Sequence, residues 1–175
     1  GASGSIHALA GKSVVGGSGS IQISAGKSST GIGGSIDIIS GTSLIQTGGN
    51  IRVRSGSSDM SNGGNIFVGT GSGGSNGKSG SIRLETGESH GIGAGNIAVK
   101  TGVSRAGPGG SILITSGNSN KNNGGNIELS AGNSQVSTGG TIKIAGGRSE
   151  VGSGGGIDLL TGSGGSSSGK SPVQA

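Results

Sequence analysis

The chain of 175 residues contains no cysteine, tryptophan or tyrosine, and its single aromatic residue is Phe67. The absence of cysteine excludes disulfide bonds and thiolate metal sites. No apolar run approaches the roughly 18 residues that a membrane-spanning helix needs, so we expect no membrane insertion. The 12 Lys and Arg residues against 7 Asp and Glu are scattered along the chain, a pattern that does not indicate a nucleic-acid partner.

Glycine is the abundant residue, with 46 copies, and by composition alone the chain would be taken for a flexible linker. An isoleucine, however, returns every 15 residues, with one residue inserted halfway, and this fixed period is typical of a repeat array. We predict that these isoleucines form the ladder of a structural core: Ile6, Ile21, Ile36, Ile51, Ile66, Ile82, Ile97, Ile112, Ile127, Ile142 and Ile157.

Two glycines accompany each isoleucine without exception. The leading glycine stands two residues before it, at Gly4, Gly19, Gly34, Gly49, Gly64, Gly80, Gly95, Gly110, Gly125, Gly140 and Gly155. The turn glycine stands five residues after it, at Gly11, Gly26, Gly41, Gly56, Gly71, Gly87, Gly102, Gly117, Gly132, Gly147 and Gly162. We expect the turn glycines to adopt positive φ, which glycine tolerates best.

Polar and apolar residues alternate around each isoleucine, as in residues 126–130, which predicts a five-residue strand with one buried face. A strand and a return stretch of similar length would form one coil. The predicted fold is therefore all-β: a single-stranded β-solenoid of about 11 coils of 15 residues, stacked parallel and in register. It would span residues 1–171, followed by a C-terminal tail at 172–175.

A serine lies two residues after the turn glycine in nine repeats: Ser13, Ser28, Ser43, Ser58, Ser89, Ser104, Ser119, Ser134 and Ser149. We expect its hydroxyl to bond the turn backbone of its own or the next coil.

Charges on the outward strand face agree with the predicted stacking. Asp37 would lie beside Arg52, and Glu128, Lys143 and Asp158 would alternate in sign.

Several residue patterns resemble catalytic or ligand-binding motifs, but each lacks the structural surroundings that such a site needs. Residues 164–171 match a phosphate-binding loop, but no helix follows them, and residues 69–74 match a dinucleotide-binding pattern with the same defect. His7 and His90 are too far apart in sequence to share a metal in the stacked fold. Glu128 and Asp158 approach the separation of a glycosidase pair, but Lys143 would lie between them. We expect no enzyme activity, metal or cofactor.

The repeated Gly-Gly-Ser/Asn-Ile-x-Ile-x-Ser/Ala-Gly-x-Ser pattern, as in residues 34–43 and 125–134, resembles the Gly/Ser-rich repeats of large surface and fibre proteins of algae, other protists, bacteria and some viruses. The resemblance implies a structural protein of an extracellular filament, fibre or surface assembly, at the cell or virion surface. A rigid rod would act there by end-to-end or lateral association with other copies of the array. Two alternatives remain open, an ice-binding solenoid and an adhesive or carbohydrate-binding stalk.

Overall fold

The computed structural model describes residues 4–162. The chain divides into two units, Gly1–Glu85 and Thr86–Ala175. Within the described range neither unit contains an α-helix or a β-strand. Both are built from one recurring pattern, in which an extended segment around each isoleucine alternates with a short loop that begins at a turn glycine and ends at the next leading glycine.

Eight of the ten loops in residues 4–162 are closed by one backbone hydrogen bond between their two glycines. The leading-glycine amide donates to the carbonyl of the preceding turn glycine, at distances of 2.8–3.2 Å. The donor–acceptor pairs are Gly19–Gly11, Gly34–Gly26, Gly49–Gly41, Gly64–Gly56, Gly80–Gly71, Gly125–Gly117, Gly140–Gly132 and Gly155–Gly147. The inserted residue lies inside the loop from Gly71 to Gly80, so the extended segments keep their length.

Threonine precedes the turn glycine in the two loops where this bond is not formed, those ending at Gly95 and Gly110. In the second of these loops the Thr101 hydroxyl donates to the carbonyl of Gly110 at 3.2 Å. A Cβ on Gly110 would lie 3.2 Å from the Thr101 Cβ. A side-chain bond therefore connects the two sides of this loop in place of the backbone bond.

The conserved spacing of serine inside the loops has a direct structural role. In seven repeats its Oγ accepts a hydrogen bond from the amide three residues ahead, as from Gly31 to Ser28 at 2.8 Å and from Ser137 to Ser134 at 2.9 Å. Ser89 accepts from Gly91, and Ser13 donates to the carbonyl of Val15. The prediction that this hydroxyl bonds the turn backbone is confirmed, always within its own repeat.

The predicted β-solenoid is wrong. Stacked 15-residue coils require hydrogen bonds between residues about 15 apart, yet every hydrogen bond found across residues 4–162 joins positions at most nine apart. The physical reason is that the chain closes each loop on itself, since a short loop costs little entropy to close. The outward charges predicted to pair between neighbouring coils do not do so either. The one ion pair in the described part of the chain joins Arg83 to Glu85 within a single segment.

The predicted core ladder is not buried either. No side chain in the described part of the chain is buried, and the isoleucines from Ile21 to Ile157 remain 46–56% exposed, while Ile6 is almost fully exposed. Each repeat is thus held by its own loop rather than by a core that repeats share.

The turn glycines do not have the predicted positive φ. Within residues 4–162 only Gly16 and Gly93 do, with φ of 96° and 148°, and neither is a turn glycine. The steric need for glycine falls instead on the leading position, where a Cβ on Gly34 would lie 3.0 Å from the Ala25 Cβ and 3.2 Å from the Gly26 nitrogen. A Cβ on Gly26 itself would meet nothing within 4 Å.

This asymmetry gives a matched pair of variants in one loop. We expect Gly34→Ala to open the loop from Gly26 to Gly34, lowering its ratio of closed to open forms by about fivefold, since a hydrogen bond contributes about 1 kcal/mol net. Gly26→Ala should leave it closed. The amide temperature coefficient of residue 34, measured by NMR on dilute protein, reports the bond. Equal coefficients in the two variants would contradict the steric assignment.

The serine contact is tested separately in the loop from Gly132 to Gly140. Ser134→Ala removes the acceptor of the Ser137 amide, so that amide should exchange with solvent several-fold faster. Ser130→Ala is the control, because Ser130 makes no hydrogen bond within the described range. Unchanged exchange at Ser137 in Ser134→Ala would refute the role of the hydroxyl.

Candidate interaction face

The extended segments place alternate side chains on opposite sides of the backbone. Three contacts between residues two apart show this: the Arg83 guanidinium pairs with the Glu85 carboxylate, Ser5 Oγ lies 3.2 Å from His7 Nε2, and the Phe67 ring lies over Gly69. The period of two inferred from the sequence is therefore present locally, without pairing between segments.

One side of these segments carries two aliphatic residues per repeat, here called the aliphatic row. Its first members are the isoleucines from Ile21 to Ile157, about half exposed. Its second members are 66–77% exposed: Ile23, Ile38, Val53, Val68, Leu84, Val99, Ile114, Leu129, Ile144 and Leu159. The row is thus partly shielded by its own chain, but most of its apolar surface is open.

The opposite side, here called the outward row, is more exposed and varied. Its apolar members are 85–93% exposed, as at Phe67, Leu113 and Leu160. The Arg83–Glu85 pair lies on this side with side chains 82% and 60% exposed, so it contributes little to stability. Water shields these charges, whereas the aliphatic row gains by leaving water.

Backbone groups within the extended segments are also unpaired. Across residues 4–162, backbone hydrogen bonds join glycines only, and side chains bond to loop backbone or to the carbonyls of leading glycines. In residues 126–130, for example, neither the amides nor the carbonyls have a protein partner. Such segments offer the same free donors and acceptors as the edge of a sheet.

A cavity of about 670 Å³ opens at the loop from Gly56 to Gly64 and is lined by residues 54–57 with Gly63 and Gly64. Arg54 is its one charged residue, and the rest of the lining is serine and glycine. It offers no nucleophile, no acid–base pair and no second cation that would fix an anion. The arrangement does not support chemistry at this position.

The residues singled out for other chemistry are not brought together. No group of three His, Asp or Glu side chains in residues 4–162 lies close enough to hold a metal ion. The described part also has no helix long and apolar enough to cross a bilayer. The pattern at residues 164–171 and the tail at 172–175 lie outside the described residues.

The sequence predicted that the isoleucines form a buried core ladder, but they remain about half exposed, and the turn glycines lack the predicted turn conformation. The leading glycines received no structural role from the sequence, although their amides close eight of the loops. Their strict recurrence was the available signal. Comparison of the chain with protein-family models, curated proteins and solved structures finds no significant match.

Proposed function

We propose that this is a structural protein that acts by associating with further copies of itself in an extracellular filament, fibre or surface assembly. The observation that carries the proposal is the aliphatic row, whose side chains remain about half or more exposed in ten successive repeats. No catalytic group or ligand site is required by this function.

The solvent-accessible area of the chain is far larger than that of a compact monomeric protein of the same mass. The chain of 16.2 kDa exposes 18019 Å², whereas a compact monomer of that mass exposes about 7,500 Å². The difference of roughly 10,000 Å² is several times the area that a stable protein interface buries, which is about 1,200–2,000 Å². One chain therefore has enough surface for contacts with several partners.

Burial of the aliphatic row would provide the driving force. Full burial of an isoleucine contributes about 1.5–3 kcal/mol, so a half-exposed one gains about 1 kcal/mol on association. Large aliphatic side chains left exposed in repeat after repeat favour a role in protein association. Because the isolated chain has no buried side chain in its described part, we expect its order to increase when copies associate.

Matching periods favour another copy as the partner. The row presents an equivalent pair of aliphatics every 15 residues, and a partner that covers each pair must offer contacts at the same spacing. A second copy of the chain has this spacing because its sequence is the same. The resemblance to Gly/Ser-rich fibre and surface proteins supports an extracellular location. An ice-binding face would need regularly stacked coils, which residues 4–162 do not form.

Association is tested directly on the purified full chain. We expect the sedimentation coefficient and β-type circular dichroism to rise together with protein concentration, and electron microscopy to show elongated particles at high concentration. A chain that remains monomeric at every soluble concentration would remove the proposed function.

The face is tested by two triple variants made in the same three repeats. Replacing Ile36, Ile112 and Ile157 with serine should raise the concentration for half-assembly by about 100-fold, since three losses of about 1 kcal/mol add up. Replacing the neighbouring outward residues Ile39, Leu113 and Leu160 with serine is the control of matched composition. An equal effect of the two triples, measured by sedimentation, would show that the aliphatic row is not the interface.

A further inference from the structure

We propose that neighbouring copies pair parallel through their extended segments, displaced from each other by one 15-residue repeat. This inference rests on the proposed self-association and specifies its geometry. Three observations carry it: the unpaired backbone of the segments, their alternation of faces, and the order of charges along the outward row.

The unpaired backbone indicates how two segments meet. Residues 126–130 form no backbone hydrogen bond with any residue that the structure describes, and an extended segment with free amides and carbonyls is completed by a second extended segment beside it. Side chains of paired segments then lie next to each other on the same face. Two copies would bring aliphatic row against aliphatic row and outward row against outward row.

Charge excludes the arrangement with no displacement. In that register every outward residue faces its own counterpart, so Arg52 meets Arg52, Glu128 meets Glu128 and Lys143 meets Lys143. Like charges directly opposite each other in paired segments are destabilising. No outward charge gains a partner of opposite sign.

A displacement by one repeat reverses this result. It brings together the opposite charges of Asp37 with Arg52, Glu85 with Lys100, Glu128 with Lys143, and Lys143 with Asp158, and it places no like charges opposite each other. Among residues 4–162, Asp37, Arg52, Glu128, Lys143 and Asp158 form no ion pair. Their charges are therefore available to a second copy.

Larger parallel displacements are less favourable. Two repeats would oppose Arg52 to Arg83, three would oppose Arg54 to Lys100, and four would oppose Arg83 to Lys143. Five repeats would also avoid like charges, but they would bring together only two opposite pairs, Arg52 with Glu128 and Arg83 with Asp158, against four at one repeat. Each exposed pair contributes at most about 1 kcal/mol, so these charges select the register while the aliphatic row supplies the affinity.

The displacement also accounts for growth. A parallel contact offset by one repeat joins two different surfaces of the same chain, and a contact of this kind continues indefinitely unless rotation closes it into a ring. An antiparallel contact would instead be symmetric and would tend to close at a pair. The staggered contact therefore gives an open fibre without a second interface.

The absence of cysteine allows the register to be read by cross-linking. Asn126 and Thr141 occupy equivalent outward, uncharged positions in successive repeats. One variant carries Asn126→Cys and another Thr141→Cys, and each is oxidised under assembly conditions alone and in an equal mixture. We expect the mixture to form disulfide-linked heterodimers and each single variant to give few homodimers. Homodimers as abundant as heterodimers would overturn the one-repeat displacement.

Charge reversal provides a second readout. Lys143→Glu would turn two attractive contacts into repulsive ones and should raise the concentration for half-assembly by about tenfold. Adding Glu128→Lys and Asp158→Lys restores alternation and should restore assembly. Equal assembly of the single and triple variants would contradict the register. If unmodified protein does not assemble, the proposed function falls, whereas assembly with a different cross-linking pattern removes only the displacement.

Discussion

The hydrogen bond from the leading glycine to the preceding turn glycine, formed in eight of the ten loops in residues 4–162, is the constraint on which the structure depends. It closes a loop of nine residues, counted from turn glycine to leading glycine, in seven repeats and of ten in the repeat with the insertion. The residue before the turn glycine packs so close to the leading glycine that a Cβ there has no room, as Ala25 shows against Gly34. Inside most of the loops a serine hydroxyl adds a second bond. The loops are thus complete within one repeat.

Local closure has a direct consequence for the surface. Because the loops close locally, no hydrogen bond in the described part of the chain pairs one extended segment with another along its length, and their backbone groups and much of their aliphatic surface stay in water. The local hydrogen bonds that shape the repeats therefore leave the aliphatic side chains and the backbone of the extended segments without partners. A protein built in this way gains most of its burial through partners, which is the physical basis of the structural role proposed for it.

The sequence predicted the local features well and the long-range ones poorly. The alternation at residues 126–130 and the role of Ser134 both follow from short-range preferences. The predicted turn conformation at Gly132 was wrong. The Gly132 carbonyl accepts the hydrogen bond that closes this loop, and Gly132 does not have a left-handed φ. The solenoid was wrong because equal spacing shows that repeats are equivalent. It does not show whether a segment pairs with its own neighbour or with another chain.

The amino-acid sequence by itself determined the period, the two faces of each segment and the hydrogen-bonding role of the loop serines, because these depend on contacts within about nine residues. Only the tertiary structure decided that isoleucines such as Ile127 remain half exposed and that Asp37 does not meet Arg52. Whether segments pair within the chain depends on the free-energy difference between closing a short loop and pairing distant segments. The sequence of a single repeat does not give that difference.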